Sequence, residues 1–401
     1  MNNMEQALTQ NRKRIESIDL LRGIVIVIMA LDHVRDYFHA DNFLYDATDM
    51  SQTNPAVFFT RWITHFSAPV FMFLAGTSAF LVGEKKTKKQ LSIFLLTRGL
   101  WLILLEFVVI NFAWSFNPEY PMLRLQVIWA LGVCMIILSA LIHLHVKIIL
   151  ITGLLILLLH NTLDNIHATG NTLKDFLWAE FHERRRFVFG GRTIPTGYSI
   201  LAWIGIMSLG YCFGQLYKKG MDAAVRKKYL VAIGGSAIVI FILLRAINMY
   251  GDKEPWAVQS SFAMTVCSFL NTTKYPPSLL YALMTLGPAL IFLAFAEKPL
   301  GWLGKRIIHI GRVPLFFYIL HLYLIHLLAV IAVVLSGRPW TDMVLPLNPN
   351  AKDAPWLAGY GFSLAATYLW WIGIVLLLYP LCRWYDNYKT NHKEKWWLSY
   401  L

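Results

Sequence analysis

Ten long apolar segments constrain the fold of this chain more than any other feature. Each is long enough, or nearly so, to cross a hydrocarbon core about 30 Å thick as a helix. Charged residues make up only 15% of the chain, against roughly 25% in soluble domains. We therefore expect an all-α polytopic membrane protein, a bundle of about ten transmembrane helices. The predicted spans are 17–37, 66–83, 91–115, 122–143, 146–160, 199–217, 229–248, 277–296, 314–336 and 359–382.

Basic residues predict the orientation of this bundle. Lys and Arg concentrate in every second connection, and the intervening, longer loops are leaner in both. Cytoplasmic loops carry this excess, so we expect a multi-pass protein of the inner (plasma) membrane with both termini cytoplasmic. The net charge of +13 is assigned to orientation and not to nucleic-acid binding. Arg184–Arg186 is the exception on the outer side. It is predicted to be a solvated loop, with contact to an anionic lipid or glycan as the alternative.

The organisation along the chain predicts one domain over residues 1–401, with cytoplasmic tails at 1–16 and 385–401. There is no internal repeat, and no small-residue cleavage site follows the first apolar run, so no removed signal peptide is expected. Asn54 before Pro55 predicts a short interfacial helix that reaches His65, because Asn caps helices and Pro suits their first position. The four cysteines lack metal or disulfide spacing, so no metal site is predicted.

The first span carries charge at a depth where charge is costly. Arg22 and His33 are eleven residues apart, which returns them to nearly the same face of a helix and separates them by about 16 Å. Such groups usually face a cavity or pathway. His33 is predicted to be a general base that takes a proton from an acceptor hydroxyl or amine. Asp32 is a candidate to hold its tautomer, although adjacent side chains diverge by about 100°. A hydrogen-bonded histidine near the headgroups is the alternative.

Other polar groups lie in later spans. His65 either borders a site opening outward or lies at the headgroups. His321 is a better site candidate than His326, from which it diverges by about 140°; a structural hydrogen bond between helices is the alternative. Arg98 either binds ligand phosphates, pairs with a carboxylate, or snorkels to the interface. Glu106, two turns deeper, needs a partner or a raised pKa.

Several stretches of the chain carry a family resemblance. The opening Asp19–Gly23 (Asp-Leu-Leu-Arg-Gly) followed by His33 is similar to the start of the transmembrane acyltransferase superfamily. Ser67–Gly76 is similar to a Pro-x-Phe-x-Phe-x-x-Gly block, Lys274–Pro288 is similar to a bacterial subgroup, and the region of His321 is similar to a Tyr-x-x-His helix. The chain resembles the membrane acyltransferases, specifically bacterial relatives of heparan-α-glucosaminide N-acetyltransferase.

The resemblance implies ten or eleven helices, acetyl-CoA as the donor and acyl transfer to a sugar across the membrane. It also implies that His33 is catalytic. In the lysosomal branch, however, the matching position is usually Asn and the active His lies farther along the first outer loop. The corresponding stretch here, near Leu44–Pro55, has no His. His33, His39 or His65 must therefore take that role, or the chemistry differs.

We therefore expect an N- or O-acetyltransferase that moves an acyl group from acetyl-CoA onto an extracytoplasmic sugar or glycan. His33 would be the base, and Arg22 and Arg98 would hold the donor; direct transfer and an acyl-histidine both remain open. The expected partners are membrane lipid, donor and acceptor, with a homodimer left open. One alternative is a proton-coupled transporter with a relay through His33, Glu106 and His321, although no inverted repeat is seen. The other is a scaffold whose polar groups lock helices together.

Overall fold

The computed structural model describes residues 15–297, 301–345 and 354–400. Helices make up nearly all of the regular structure in these ranges. In chain order they are α1 (Glu16–Phe38), α2 (Pro55–Thr64), α3 (Ser67–Gly83), α4 (Lys88–Leu105), α5 (Asn111–Ser115), α6 (Val127–Leu141), α7 (Val146–Leu159), α8 (Leu173–His182), α9 (Ile200–Phe213), α10 (Ala223–Ile247), α11 (Phe262–Leu270), α12 (Leu279–Phe295), α13 (Trp302–Arg312), α14 (Pro314–Leu335) and α15 (Leu364–Asn391).

The remaining regular elements are short. A π-helical turn, Glu106–Ile110, joins α4 to α5. Strands β1 (Arg185–Phe189) and β2 (Arg192–Thr196) pair antiparallel. Single 3-10 turns occupy Ala40–Phe43, His160–Leu163, Gly214–Tyr217, Trp340–Met343, Pro355–Leu357 and Trp396–Tyr400.

Each of the ten predicted spans contains a helix in the structure, although the helices in the spans predicted from 122 and from 359 begin only at Val127 and Leu364. Among the described residues, seven helices are long and apolar enough to cross a membrane, and α6 and α12 are shorter apolar helices. The first predicted span is α1, which carries several charges within its apolar run. The predicted class, an all-α polytopic membrane protein, is thus confirmed.

Two helix starts test the capping arguments. The Val57 N–H donates to Asn54 Oδ1 at 3.1 Å, so α2 begins where the Asn-Pro pair predicted. The span predicted from residue 277 begins instead at Leu279, because the Tyr281 N–H donates to Ser278 Oγ at 3.0 Å. Ser278, and not a proline, therefore sets that helix start.

The prediction of a solvated loop between the fifth and sixth spans is wrong. This connection contains α8 and the β1–β2 hairpin, and Arg184–Arg186 runs into β1. Gly190 and Gly191 form the turn with φ values of 56° and 74°, the left-handed conformation that two-residue hairpin turns require. The alternating pattern on both sides of Gly-Gly was a hairpin signal.

Helix α1 occupies the centre of the bundle and packs against α2, α3, α12, α13, α14 and α15. Its contact with α13 is backbone to backbone. A Cβ on Gly311 would lie 1.9 Å from the Asp19 carbonyl oxygen, and one on Gly23 would lie 2.4 Å from that of Ile307. Small residues allow such close approach of helices in membranes. The contact brings Arg22 and Arg312 to the same end of the bundle.

Glu106 has the kind of partner that its depth requires. The Trp129 N–H in the first turn of α6 donates to Glu106 Oε2 at 3.0 Å. A carboxylate is favourable there because the N-terminus of a helix carries unpaired N–H groups and a partial positive charge. Glu106 therefore anchors the start of α6 from the neighbouring helix.

Candidate active site

Two histidines from distant parts of the chain meet inside the bundle. His33 Nδ1 on α1 lies 2.7 Å from His321 Nε2 on α14, and both rings are buried. His321 Nδ1 lies 3.0 Å from the Phe317 carbonyl oxygen. A carbonyl only accepts, so His321 Nδ1 carries the hydrogen, and in the neutral ring Nε2 is then an acceptor. His33 therefore donates through Nδ1, and its Nε2 keeps the lone pair that a base needs.

Asp32 does not hold the His33 tautomer as the sequence suggested. Its Oδ1 accepts from Arg35 at 3.2 Å and its Oδ2 accepts from Arg61 on α2. Adjacent helical residues point in different directions, and here that difference sends Asp32 to the two arginines. His321 is the group that orients the His33 ring.

A large cavity opens beside His33 toward the long-loop end of the bundle, which we define by connections 39–54, 116–126, 160–199 and 248–278. Its volume is about 820 Å³, and Asp32 and His33 line it. Seven basic side chains line it against four aspartates. The basic ones are Arg35, Arg61, Arg124, Arg184, Arg185, Arg186 and Lys274. This cavity, which we call the outer cavity, therefore carries more positive than negative charge.

The positive charge of the outer cavity affects the pKa of Tyr275, which lies in its wall. Burial raises the pKa of the phenol, but the Lys274 ammonium and the Arg61 guanidinium outweigh burial, and the pKa is lowered. The Lys274 ammonium lies 5.2 Å from the centre of the Tyr275 ring. Negative charge is therefore favoured at this point of the wall.

A second cavity, which we call the inner cavity, opens at the opposite, basic end of the bundle, where Lys85–Lys89 and Lys218–Lys228 lie. Its volume is about 300 Å³ and most of its wall is apolar. The four cationic residues that line it are Arg22, Arg98, Arg312 and Lys389. Arg22 donates to Asp19 Oδ1 at 3.1 Å and to Ser78 Oγ at 3.0 Å. The two arginines predicted to hold a ligand therefore line one cavity.

The two cavities share part of their walls. Met29, Val127 and Tyr318 line both of them. Tyr318 lies one turn before His321 on α14, and its ring centre is 6.2 Å from that of His33. The two cavities therefore meet next to His33, which itself lines the outer one. Both volumes fall within the ~300–1,000 Å³ typical of ligand sites.

The remaining histidines predicted as alternatives lie elsewhere. His65 is buried beside Tyr281, whose hydroxyl donates to the His65 carbonyl oxygen at 2.8 Å, and it lines neither cavity. His39 is buried where α1 ends, opposite Phe362. His326 lies 2.7 Å from the Ala113 carbonyl and 2.8 Å from the Met343 carbonyl, so each of its ring nitrogens faces a carbonyl oxygen, and it lines neither cavity.

Sequence reasoning missed several residues of the site. Arg312 and Lys389 join the inner cavity, and Trp114 and Lys274 join the outer one. The sequence did mark Tyr318, because it is the first residue of the Tyr-x-x-His pattern that ends at His321. No periodicity marks the other four, because they come from helix ends and connections.

The fold and this site define a polytopic membrane protein with a buried histidine pair beside the place where two opposed cavities meet. A family model described as heparan-alpha-glucosaminide N-acetyltransferase, catalytic, matches residues 14–246, more than half of the chain. The chain belongs to this family, which is one of membrane acetyltransferases that take acetyl-CoA as donor in general. No curated protein matches the chain. The matched residues include Arg22, His33 and Arg98, whereas His321 and Tyr318 lie outside them.

Proposed function

We propose that this protein transfers an acetyl group from acetyl-CoA, entering at the basic end, onto a sugar or glycan entering at the long-loop end. The observation that carries this proposal is that the two cavities meet at Tyr318, beside His33 in the wall of the outer one. The whole chain acts as one domain, since residues from both ends of the sequence line the inner cavity. An enzyme that joins reactants from opposite sides of a membrane needs such an arrangement.

The inner cavity suits coenzyme A in its charge and in the character of its wall. Its four cations match the phosphates at one end of the donor, and Arg offers phosphate a planar fork of donors. Its apolar wall would contact the methylene and methyl groups of the uncharged pantetheine arm. Because His33 lies about 16 Å beyond Arg22 along α1, phosphates held near Arg22 and Arg98 would direct the thioester toward His33.

His33 then supplies the base. Its Nε2 takes the proton of the acceptor hydroxyl or amine while the acceptor attacks the thioester carbonyl carbon. The new C–O or C–N bond forms, the C–S bond breaks, and the thiolate of coenzyme A takes up the proton. His321 Nε2 accepts from His33 Nδ1 at 2.7 Å and thereby stabilises the imidazolium. An acyl-His33 intermediate would use the same atoms.

The outer cavity supports an acceptor that carries negative charge. Its basic side chains outnumber its acidic ones, so a glycan or lipid-linked sugar with carboxylate, sulfate or phosphate groups would be attracted. The reaction fits the inner (plasma) membrane with both termini cytoplasmic, because coenzyme A is made in the cytoplasm. Reporter fusions at 84–90 and 218–228 should report cytoplasm, and fusions within 161–198 should report the outside. A reversed result at either inner connection would contradict this orientation.

Thiol release tests the activity itself. Purified protein in lipid nanodiscs is incubated with acetyl-CoA, with and without D-glucosamine as the acceptor probe. We expect free coenzyme A thiol to rise with glucosamine and acetylated sugar to appear by mass spectrometry. Absence of acetyl-CoA binding would refute the proposal. Proton-coupled uptake of a sugar without thiol release would favour the transporter alternative.

A further inference from the structure

Two hydrogen-bond donors beside His33 make no hydrogen bond of full geometry. The Tyr318 hydroxyl and the Trp114 indole N–H are buried close to each other, but neither is in full hydrogen-bond geometry with any described atom. Tyr318 is 3% exposed and Trp114 6%. Buried polar groups in proteins are nearly always hydrogen-bonded. Two such donors at one place therefore suggest that a ligand atom supplies the missing acceptor.

Both donors belong to side chains that flank the base. The Trp114 and Tyr318 rings meet the His33 ring edge-on, with centroids 4.9 Å and 6.2 Å away and interplanar angles of 74° and 75°. Trp114 lines the outer cavity and Tyr318 lines both cavities. The donors thus lie where an acyl group from the inner cavity would meet an acceptor from the outer one.

Contacts with Tyr37 and His321 hold the Trp114 and Tyr318 side chains in place. The Tyr37 hydroxyl donates to the Trp114 carbonyl oxygen at 2.6 Å, and the Tyr37 ring lies 6.0 Å from the Trp114 ring. The Tyr318 ring contacts the His321 ring at 5.3 Å. Their positions are therefore set before a substrate arrives, which is the property that makes donors effective in stabilising a transition state.

We propose that the Tyr318 hydroxyl and the Trp114 indole N–H form the oxyanion hole for acyl transfer. As the acceptor attacks and His33 Nε2 takes its proton, the carbonyl π pair moves onto oxygen, which accepts from both donors. Collapse restores the C=O bond, expels the thiolate and returns the proton from His33 to sulfur. This inference rests on the acetyl transfer proposed above, and it assigns two catalytic residues to that reaction.

The carbonyl stretch of bound donor tests this directly. Acetyl-CoA labelled with ¹³C at the thioester carbonyl is bound to the protein in nanodiscs, and isotope-edited infrared difference spectra are recorded. Two donors polarise the C=O bond, so the band should lie below its position in water. In Tyr318→Phe, and separately in Trp114→Phe, it should move back toward higher frequency. A merely structural role would leave the band unmoved.

Rates provide the second readout. Losing one oxyanion donor typically costs about 10²–10³-fold in kcat, so each variant should lose that much thiol release at an unchanged KM for acetyl-CoA. Tyr323→Phe is the matched control on the same helix, because its hydroxyl donates to the Val109 carbonyl at 2.9 Å and lines neither cavity. It should keep the wild-type band and rate.

The outcomes separate the two proposals. If the wild type binds acetyl-CoA and transfers acetyl but both variants keep its carbonyl band and kcat, the oxyanion hole is wrong and the proposed function stands. If the wild type does not bind acetyl-CoA, both proposals fall. Intrinsic thermal stability of each variant, measured beside the control, shows that a lost rate reflects lost chemistry.

Discussion

The inner and outer cavities differ in charge and in construction. The inner one is small, largely apolar and lined by four cations, and it is enclosed by transmembrane helices and their ends. The outer one holds more than twice the volume, carries charges of both signs, and takes part of its wall from the β1–β2 hairpin. The inner cavity suits a ligand with phosphates and a long uncharged arm, and the outer cavity suits a polar, charged ligand. The comparison therefore separates donor recognition from acceptor recognition.

The largest effect should come from the point where the cavities meet. A general base contributes about 10²–10⁴-fold in rate, so His33→Ala should lose that much acetyl transfer while still binding acetyl-CoA. Initial rates of thiol release and calorimetry measure the two quantities. His321→Ala should lose less, because His321 orients the base without taking the proton.

His39→Ala and His65→Ala serve as controls, since neither residue lines a cavity. Near-normal turnover in His33→Ala, together with an inactive His65→Ala or His321→Ala, would show that the wrong histidine has been assigned as the base.

The second effect should be confined to the inner cavity. Arg98→Lys keeps the charge but loses the planar fork that suits phosphate, and it should weaken coenzyme A binding about tenfold, since hydrogen bonds to charged groups contribute about 1.5–3 kcal/mol. Calorimetry with coenzyme A measures it. Arg383→Lys, an exposed arginine on α15, is the matched control. Wild-type affinity in Arg98→Lys would favour snorkelling of Arg98 instead.

A smaller effect is expected in the outer cavity alone. The wild type should use glucosamine 6-phosphate better than glucosamine, and Lys274→Gln should reduce that preference in kcat/KM by up to about fivefold, because partly exposed ion pairs contribute about 0.2–1 kcal/mol. The affinity for acetyl-CoA should not change. An equal loss with both sugars would argue against charge recognition by Lys274.

The last prediction concerns stability and not activity, at α8, the helix that precedes Arg184–Arg186 in the wall of the outer cavity. Burial raises the pKa of Glu180 on α8 to about 8, whereas an unfolded chain ionises this carboxyl near its ordinary value. Between these two values the folded state holds the extra proton, so stability falls as pH rises, by at most about 1.4 kcal/mol per pH unit.

Thermal unfolding at pH 5, 7 and 9 checks this expectation. Glu180→Gln should come closest to the wild type at pH 5 and exceed it by more at pH 7 and pH 9, with the difference levelling off above pH 8. The exposed Glu394→Gln should follow the wild type throughout. A difference in thermal stability between the wild type and Glu180→Gln that stays constant with pH would show that ionisation of Glu180 does not destabilise the folded state.

Sequence reasoning predicted the helices better than the site. Each of the ten predicted spans contains a helix, because a span must be about 20 residues long and predominantly apolar, although two of these helices begin about five residues later than predicted. The helix period also placed Arg22 and His33 on one face of α1. The hairpin at Gly190–Gly191 was not predicted, although the alternating residues on both sides of the Gly-Gly pair are a local hairpin signal.

The sequence alone determined the class of protein, the helix positions and the candidate base, since hydrophobic length and helical periodicity are local properties. Only the tertiary structure decided what that base contacts. His33 and His321 are 288 residues apart, and no period links side chains on different helices. Their pairing depends on how α1 and α14 pack, as does the diversion of Asp32 to Arg61. Arg98, Arg312 and Lys389 likewise share one cavity only because three distant segments end at the same side of the bundle.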